Sequence, residues 1–290
     1  MTNTQLKSES SVAFEFVRSL AGELSSGKID LPSFPEVATR VRKILADPKS
    51  SVDQVVRVVG SEPALAARLM RVANASAFNR SGKQITDLRT AINRIGYSMV
   101  RTAAMAFAMS QLRRGAKLER LQARLDELWA VSTQVAALAY VIARNCTKVN
   151  PDEAALAGMM HGIGKLYIMT RAAQHPDLFV DDATLNEILD SWHASIGKAI
   201  LENWEFSEET AAAVGEQEDH SREEEVEPDL RDVVAIAILM VAHTGDQPGI
   251  ELALSGLPGA IRLGLDEARI AKVLDECATE VSALSDALGA

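Results

Sequence analysis

Cysteine is almost missing from this chain: Cys146 and Cys277 stand alone among 290 residues, with no Cys-x-x-Cys pair and no zinc-type spacing. That excludes a disulfide framework and fits a reducing compartment, with both thiols expected as small buried hydrophobes. Aromatic residues are scarce too, at 4%, so the core has to be built from Ala, Leu, Val and Ile. Positive charge is in deficit: 30 Lys and Arg face 40 Asp and Glu, a formal net charge of −10 that works against nucleic-acid phosphates. The one basic stretch, Arg113, Arg114, Lys117, Arg120 and Arg124, is interleaved with Glu119, Asp126 and Glu127 and reads as a solvated helix face. Long apolar runs are absent as well. The longest, Val233 to Ala242, falls short of the ~20 residues that cross a bilayer, and the polar start MTNTQLKSES has no signal-peptide core. No membrane span and a cytoplasmic location are therefore expected.

Several chemistries lack their signatures. There is no Gly-x-x-x-x-Gly-Lys-Ser/Thr phosphate loop, no Gly-x-Gly-x-x-Gly turn after a strand and no Gly-x-Ser-x-Gly elbow. Strand-like alternation of convincing length is also missing.

What recurs instead is the punctuation of helices, in a chain that is 47% hydrophobic and 24% charged. Ser33-Phe34-Pro35-Glu36 is a capping box with proline in the first turn, and Asp47-Pro48 stops the helix it starts. Ser51 and Gln54 form a second capping box ahead of Val52, Val55, Val56 and Val59, the spacing of one buried stripe, closed by Gly60. Ser61-Glu62-Pro63 opens a third helix; Asn74 to Lys83 reads as a loop, and Gly96 as a break before an apolar helix through Met109. A long helix is predicted from about Lys117 to Asn145. Asn150-Pro151 caps the next, which ends at His161-Gly162. Thr184 and Glu187 form a capping box for a helix carrying Leu185, Ile188, Leu189, Trp192, Ile196, Ile200 and Trp204, and Ser207 opens another. The eight acids between Glu216 and Asp229, with Pro228, predict a solvated loop before the apolar helix at Val233; a last amphipathic helix starts at Asp266. Short connections without a Gly/Ser linker predict an all-α, compact multi-helix bundle.

Glu62-Pro63-Ala64-Leu65, Leu69 to Ser76 and Ala91-Ile92-Asn93-Arg94-Ile95-Gly96 resemble the HDOD family of bacterial signalling proteins. Leu31 to Pro35, Leu128-Trp129, Gly158 to Leu166, and His193-Ala194-Ser195-Ile196-Gly197 with Trp204 extend the likeness over roughly residues 28 to 245. Residues 1–27, with Val12, Phe14, Phe16, Val17 and Leu20, are then a helical extension that packs on the bundle or docks a partner. Residues 246–290 are C-terminal helices packing on the same unit. The resemblance implies the helical fold of the HD and HD-GYP phosphohydrolases, which hold metal ions with histidines and aspartates and hydrolyse phosphate esters, including cyclic dinucleotides.

Fold alone does not imply activity. Metal-assisted hydrolysis needs several His and carboxylate ligands. Aligned on those enzymes, the early histidine position holds Val131, two residues after Trp129. The adjacent His-Asp pair is His161-Gly162, so the carboxylate is gone, while Lys165 keeps the lysine of the His-Asp-x-x-Lys pattern and offers a point charge to an anion. His193 matches the histidine of the His-Ala-x-x-Gly motif, although a core histidine with one hydrogen-bond partner also explains it. A following histidine pair is replaced by Gln217-Glu218 and the closing aspartate by Ile238. His220 with Glu223 to Glu225 reads as a solvated acidic loop rather than a metal site, and His175 and His243 as structural or surface residues.

The expectation is a regulatory signalling protein on a degenerate hydrolase scaffold, with no catalytic residues, no metal and no cofactor. It acts by binding a protein partner or a ligand. Two alternatives stay open: a residual metal-dependent phosphodiesterase acting on nucleotides or cyclic dinucleotides through His161, His193 and Lys165, and a non-catalytic sensor that binds a nucleotide-like anion through the same three residues.

Overall fold

The capping chemistry fixes where helices begin. In the computed structural model, which describes residues 15–23, 26, 36–79, 81–113, 119–173, 182–222 and 227–289, with only the backbone of 119 and 275–277, Ser51 and Gln54 close a complete capping box. Asn150 accepts from the Asp152 N–H ahead of Pro151, and Ser207 from that of Thr210. Each satisfies an N–H that the first helical turn leaves without a partner.

The helices are α1 (15–23), α2 (Glu36–Ala46), α3 (Val52–Gly60), α4 (Pro63–Asn74), α5 (Leu88–Arg113), α6 (Gln122–Cys146), α7 (Pro151–Met160), α8 (Ile163–Ala172), α9 (Asp182–Asn203), α10 (Glu208–Gly215), α11 (Leu230–Ala242), α12 (Gln247–Leu254), α13 (Pro258–Arg262) and α14 (Glu267–Gly289). No strand occurs among the described residues. Gly96 sits inside α5 with φ +76°, a backbone that L side chains disfavour, and kinks the helix there. The residue predicted as a break is thus a kink where two helical stretches meet. Between Asn74 and Leu88 the chain is held by Asn74, whose amide donates to the carbonyl of Ile85 while its oxygen accepts the Ile85 N–H.

Two apolar cores share α6 and α7. Ala136, Ala137, Tyr140 and Val141 of α6 join the larger core with α2 to α5, α8 and α9. Val135, Leu138, Ala139, Ile142 and Ala143 join the other, with α11 to α14. Between Val135 and Ala143 helix α6 is therefore buried on every side, which small Ala side chains make possible by letting neighbouring backbones close in. Helix α14 runs along α6 and its end is pinned where the Trp129 indole N–H donates to the Gly289 carbonyl at 3.2 Å. The guanidinium groups of Arg68 and Arg113 stack on the same indole.

Phe16 and Leu20 of α1 are buried in the larger core, and Glu23 reaches Arg171 and Tyr167 of α8. That segment packs on the bundle; Val12 and Phe14 lie outside the described residues, as do Ser33 to Pro35, Arg114, Lys117, His175, Glu223 to Glu225 and the side chain of Cys277.

Three expectations change. Helix α9 begins at Asp182, two residues before the Thr184–Glu187 pair, because Arg124 of α6 ties Asp182 and Asn186 into its first turns. Trp204 lies just past the end of α9, where Glu205 at φ 55° turns the chain. The acidic stretch after α10 is not simply solvated. Asp229 caps α11, and Asp232, only 2% exposed, is gripped by Arg222 at 2.8 Å and by Arg262 at 2.7 Å. Arg231 adds Asp229 and Glu216. Arginines draw these carboxylates inward because a buried acid needs a partnered charge. No helix among the described residues is long and apolar enough to cross a membrane.

Candidate ligand-binding cavity

Helix α7 runs out at Met160, and the turn His161-Gly162 feeds straight into α8. The sharpness of this corner depends on two glycines. A Cβ at Gly164 would overlap the His193 carbonyl, so α8 and α9 touch backbone to backbone, placing His193 next to the corner. A Cβ at Gly162 would fall 2.6 Å from Leu128 Cδ1 and 3.1 Å from Ser132 Oγ, both on α6.

Both histidines are buried, His161 at 6% and His193 at 2% exposure. His161 Nδ1 lies 2.7 Å from the Gly158 carbonyl and His193 Nδ1 2.8 Å from that of Leu189. A carbonyl only accepts, so each Nδ1 carries the proton and each neutral ring keeps its lone pair at Nε2. Burial pushes the His161 pKa down to about 4, opposed by the Gly158 carbonyl and helped by the charge of Lys165 and, once it is protonated, of His193. His193 is lowered first by burial and then by Lys165, with Glu218 pulling the other way. Gln217, 3% exposed, donates its amide to the His161 carbonyl at 3.2 Å.

Around these groups opens a cavity of about 660 Å³. It is lined by Val131, His161, Lys165, His193, Gln217, Glu218 and Ile238, positions the sequence alignment had scattered over more than a hundred residues. Gly162 lies behind the wall, against Leu128. Sequence reasoning missed Arg124, Leu128, Met169, Asn186, Leu239 and Val241 as lining residues. A signal for part of this wall existed: Arg124, Glu127, Leu128 and Val131 fall at i, i+3, i+4 and i+7, one stripe of α6. Arg124, read as part of a solvated face, stands at the cavity wall. His220 lines the cavity too, whereas His243 is the C-cap of α11 and is not among its lining residues.

A metal ion of the kind held by HD-type hydrolases does not fit these residues. Val131 and Ile238 have no donor atom, and Gly162 has no room for a carboxylate without displacing Leu128. Among the described residues no three His, Cys, Asp or Glu side chains gather as a metal-binding group. Two neutral imidazoles remain, each oriented by a backbone carbonyl, with the exposed carboxylate of Glu218 beside one of them.

The fold has known relatives. A solved structure from Shewanella amazonensis, provisionally named a metal-dependent phosphohydrolase, is 27% identical with a TM-score of 0.76, covering 96% of this chain and 99% of its own. One from Marinobacter aquaeolei, provisionally named a signal transduction protein, is 19% identical with a TM-score of 0.62 over 97% of this chain and 66% of its own. An uncharacterized protein of Treponema pallidum is 21% identical over 206 residues, 65% of this chain, which spans 38% of that protein's length. A family model described as the HDOD domain matches residues 31–220, well over half the chain. The protein belongs to the HDOD family.

Proposed function

We propose that this protein is a non-catalytic regulatory module in which the cavity beside the α7–α8 corner receives a signal and the helical surface passes it to a protein partner. One observation carries the reading: the positions that hold metal and water in hydrolases of this shape converge on one cavity, yet here they present two neutral imidazoles, a lysine, an amide, the single solvent-facing carboxylate of Glu218 and aliphatic side chains. Such a set can bind and orient a ligand, but it leaves nothing to lower the pKa of an attacking water. Membership of the HDOD family and the signalling name of one structural relative support the regulatory role.

The phosphohydrolase name of the Shewanella relative supports the second reading, a residual phosphodiesterase. Elemental analysis of protein grown with Mn, Fe, Zn and Mg, combined with assays on bis(p-nitrophenyl) phosphate and cyclic dinucleotides, separates the two. The regulatory reading expects substoichiometric metal and no turnover. Near-stoichiometric metal with turnover that His161→Ala abolishes would replace it with the enzyme.

A further inference from the structure

We infer that the cavity takes a small aliphatic carboxylic acid bearing a hydroxyl group. This deepens the proposed binding role and rests on it. Three features define the chemistry.

The first is charge. Lys165 is half-buried on the cavity wall and has neither an ion-pair nor a hydrogen-bond partner among the described residues. Arg124 is already occupied by Asp182 at 3.1 Å and Asn186 at 2.7 Å. Glu127 and Glu218 also line the cavity, so its carboxylates already offset its cations, and Lys165 is the one lining cation without a partner among the described residues. One such cation matches one carboxylate; a nucleotide or cyclic dinucleotide brings more negative charge than these walls can neutralise.

The second is the wall. Leu128, Val131, Met169, Leu189, Ile238 and Leu239 are aliphatic or thioether, and among the described residues no Phe, Tyr or Trp lines the cavity. A base has no large aromatic face to stack on, whereas an alkyl body buries well. The third is a pair of acceptors. His193 Nε2 lies 3.4 Å from Glu218 Oε1; with the proton on Nδ1 both atoms are acceptors, and only an added donor satisfies them together. A ligand hydroxyl donates there while its carboxylate rests on Lys165.

The test is a titration of the full chain by calorimetry and thermal shift, using 3-hydroxyoctanoate, octanoate, octanol, inorganic phosphate, AMP and a cyclic dinucleotide. The expected order is hydroxy acid above simple acid above alcohol, with no response to the three phosphates. Lys165→Met weakens the acids by about tenfold or more, the usual worth of a bond to a charged group, and leaves the alcohol unchanged; Lys165→Arg retains acid binding. Lys165 sits at the cavity wall rather than in either core, so the variants fold. Lys165-dependent binding of a phosphate, acid binding indifferent to Lys165→Met, or no binding by any acid would each overturn the inference. Equal binding of octanoate and its hydroxy derivative would overturn the hydroxyl. Metal-dependent turnover in the same preparation instead overturns the parent reading, so the two failures are told apart.

Discussion

Gln217 and His161, 56 residues apart in the chain, are joined by a hydrogen bond from the glutamine amide to the histidine's main-chain carbonyl. This bond fastens the segment after α10 to the α7–α8 corner and so fixes one wall of the cavity. Replacing Gln217 with Leu keeps much of the volume but leaves the His161 carbonyl without that donor. A loss of about 1–2 kcal/mol is expected, read from the midpoint of urea unfolding at unchanged slope.

Restoring the sequence of the hydrolase pair at 162 should not restore its chemistry. In Gly162→Asp the new Cβ meets Leu128 and Ser132, and overpacking of this kind costs about 1–3 kcal/mol. The variant is expected to melt lower and to show no added stabilisation by Mn²⁺. Pairing it with Leu128→Ala should return part of the lost melting temperature, because the clash is with that side chain; a full loss in the double variant would place the strain elsewhere.

Acid should destabilise the fold through His161. Its folded pKa of about 4 lies below the ordinary 6.5, so between these values the unfolded chain binds a proton that the folded one refuses. Stability is complete above about pH 6.5 and declines as the pH falls towards 4, by on the order of 3 kcal/mol for a fully buried group. His161→Asn should flatten this slope in urea titrations taken across the window.

Asp152 acts in the opposite sense. Burial, reinforced by the neighbouring Glu153, raises its pKa from 3.8 to about 6 against the pull of Arg101. The folded state then holds the extra proton, so this contribution is present at low pH and lost as the pH rises through 6. The two groups offset each other between pH 4 and 6. Asp152→Asn should therefore steepen the acid loss of stability and raise the melting temperature at pH 7.

Asp232 is the buried hub shared by Arg222 and Arg262. Removing it strands two arginine charges, one of them on a residue 8% exposed, and breaking such a pair costs about 3–5 kcal/mol. Asp232→Ala should show this in chemical unfolding. Since Arg222 lies only a few residues beyond Gln217 and Glu218, the variant should also raise the hydrogen exchange of that cavity wall.

The helices were largely legible in the sequence because their signals are local. Ser51 with Gln54, Asn150 with Pro151, and Ser207 each act within one turn, and the structure uses each of them. The site was legible only in part. A motif alignment could name His161, Lys165 and His193, and burial brings them together, but it could not show that Arg124 leaves its apparent solvated face to tie α9 in place. Nor could it show Asp232 drawn in by arginines from two other segments. Those outcomes depend on contacts between residues distant in the chain, for which composition and periodicity carry no record.

Between Val135 and Ala143 helix α6 presents one face to each core and has no exposed residue. A substitution there is judged twice, once by each core, and a larger side chain accepted on one side tilts the helix against the other. Bulky substitutions between Val135 and Ala143 are therefore expected to be poorly tolerated, whereas changes in the cavity lining should alter what is bound with less disturbance to how the chain holds together.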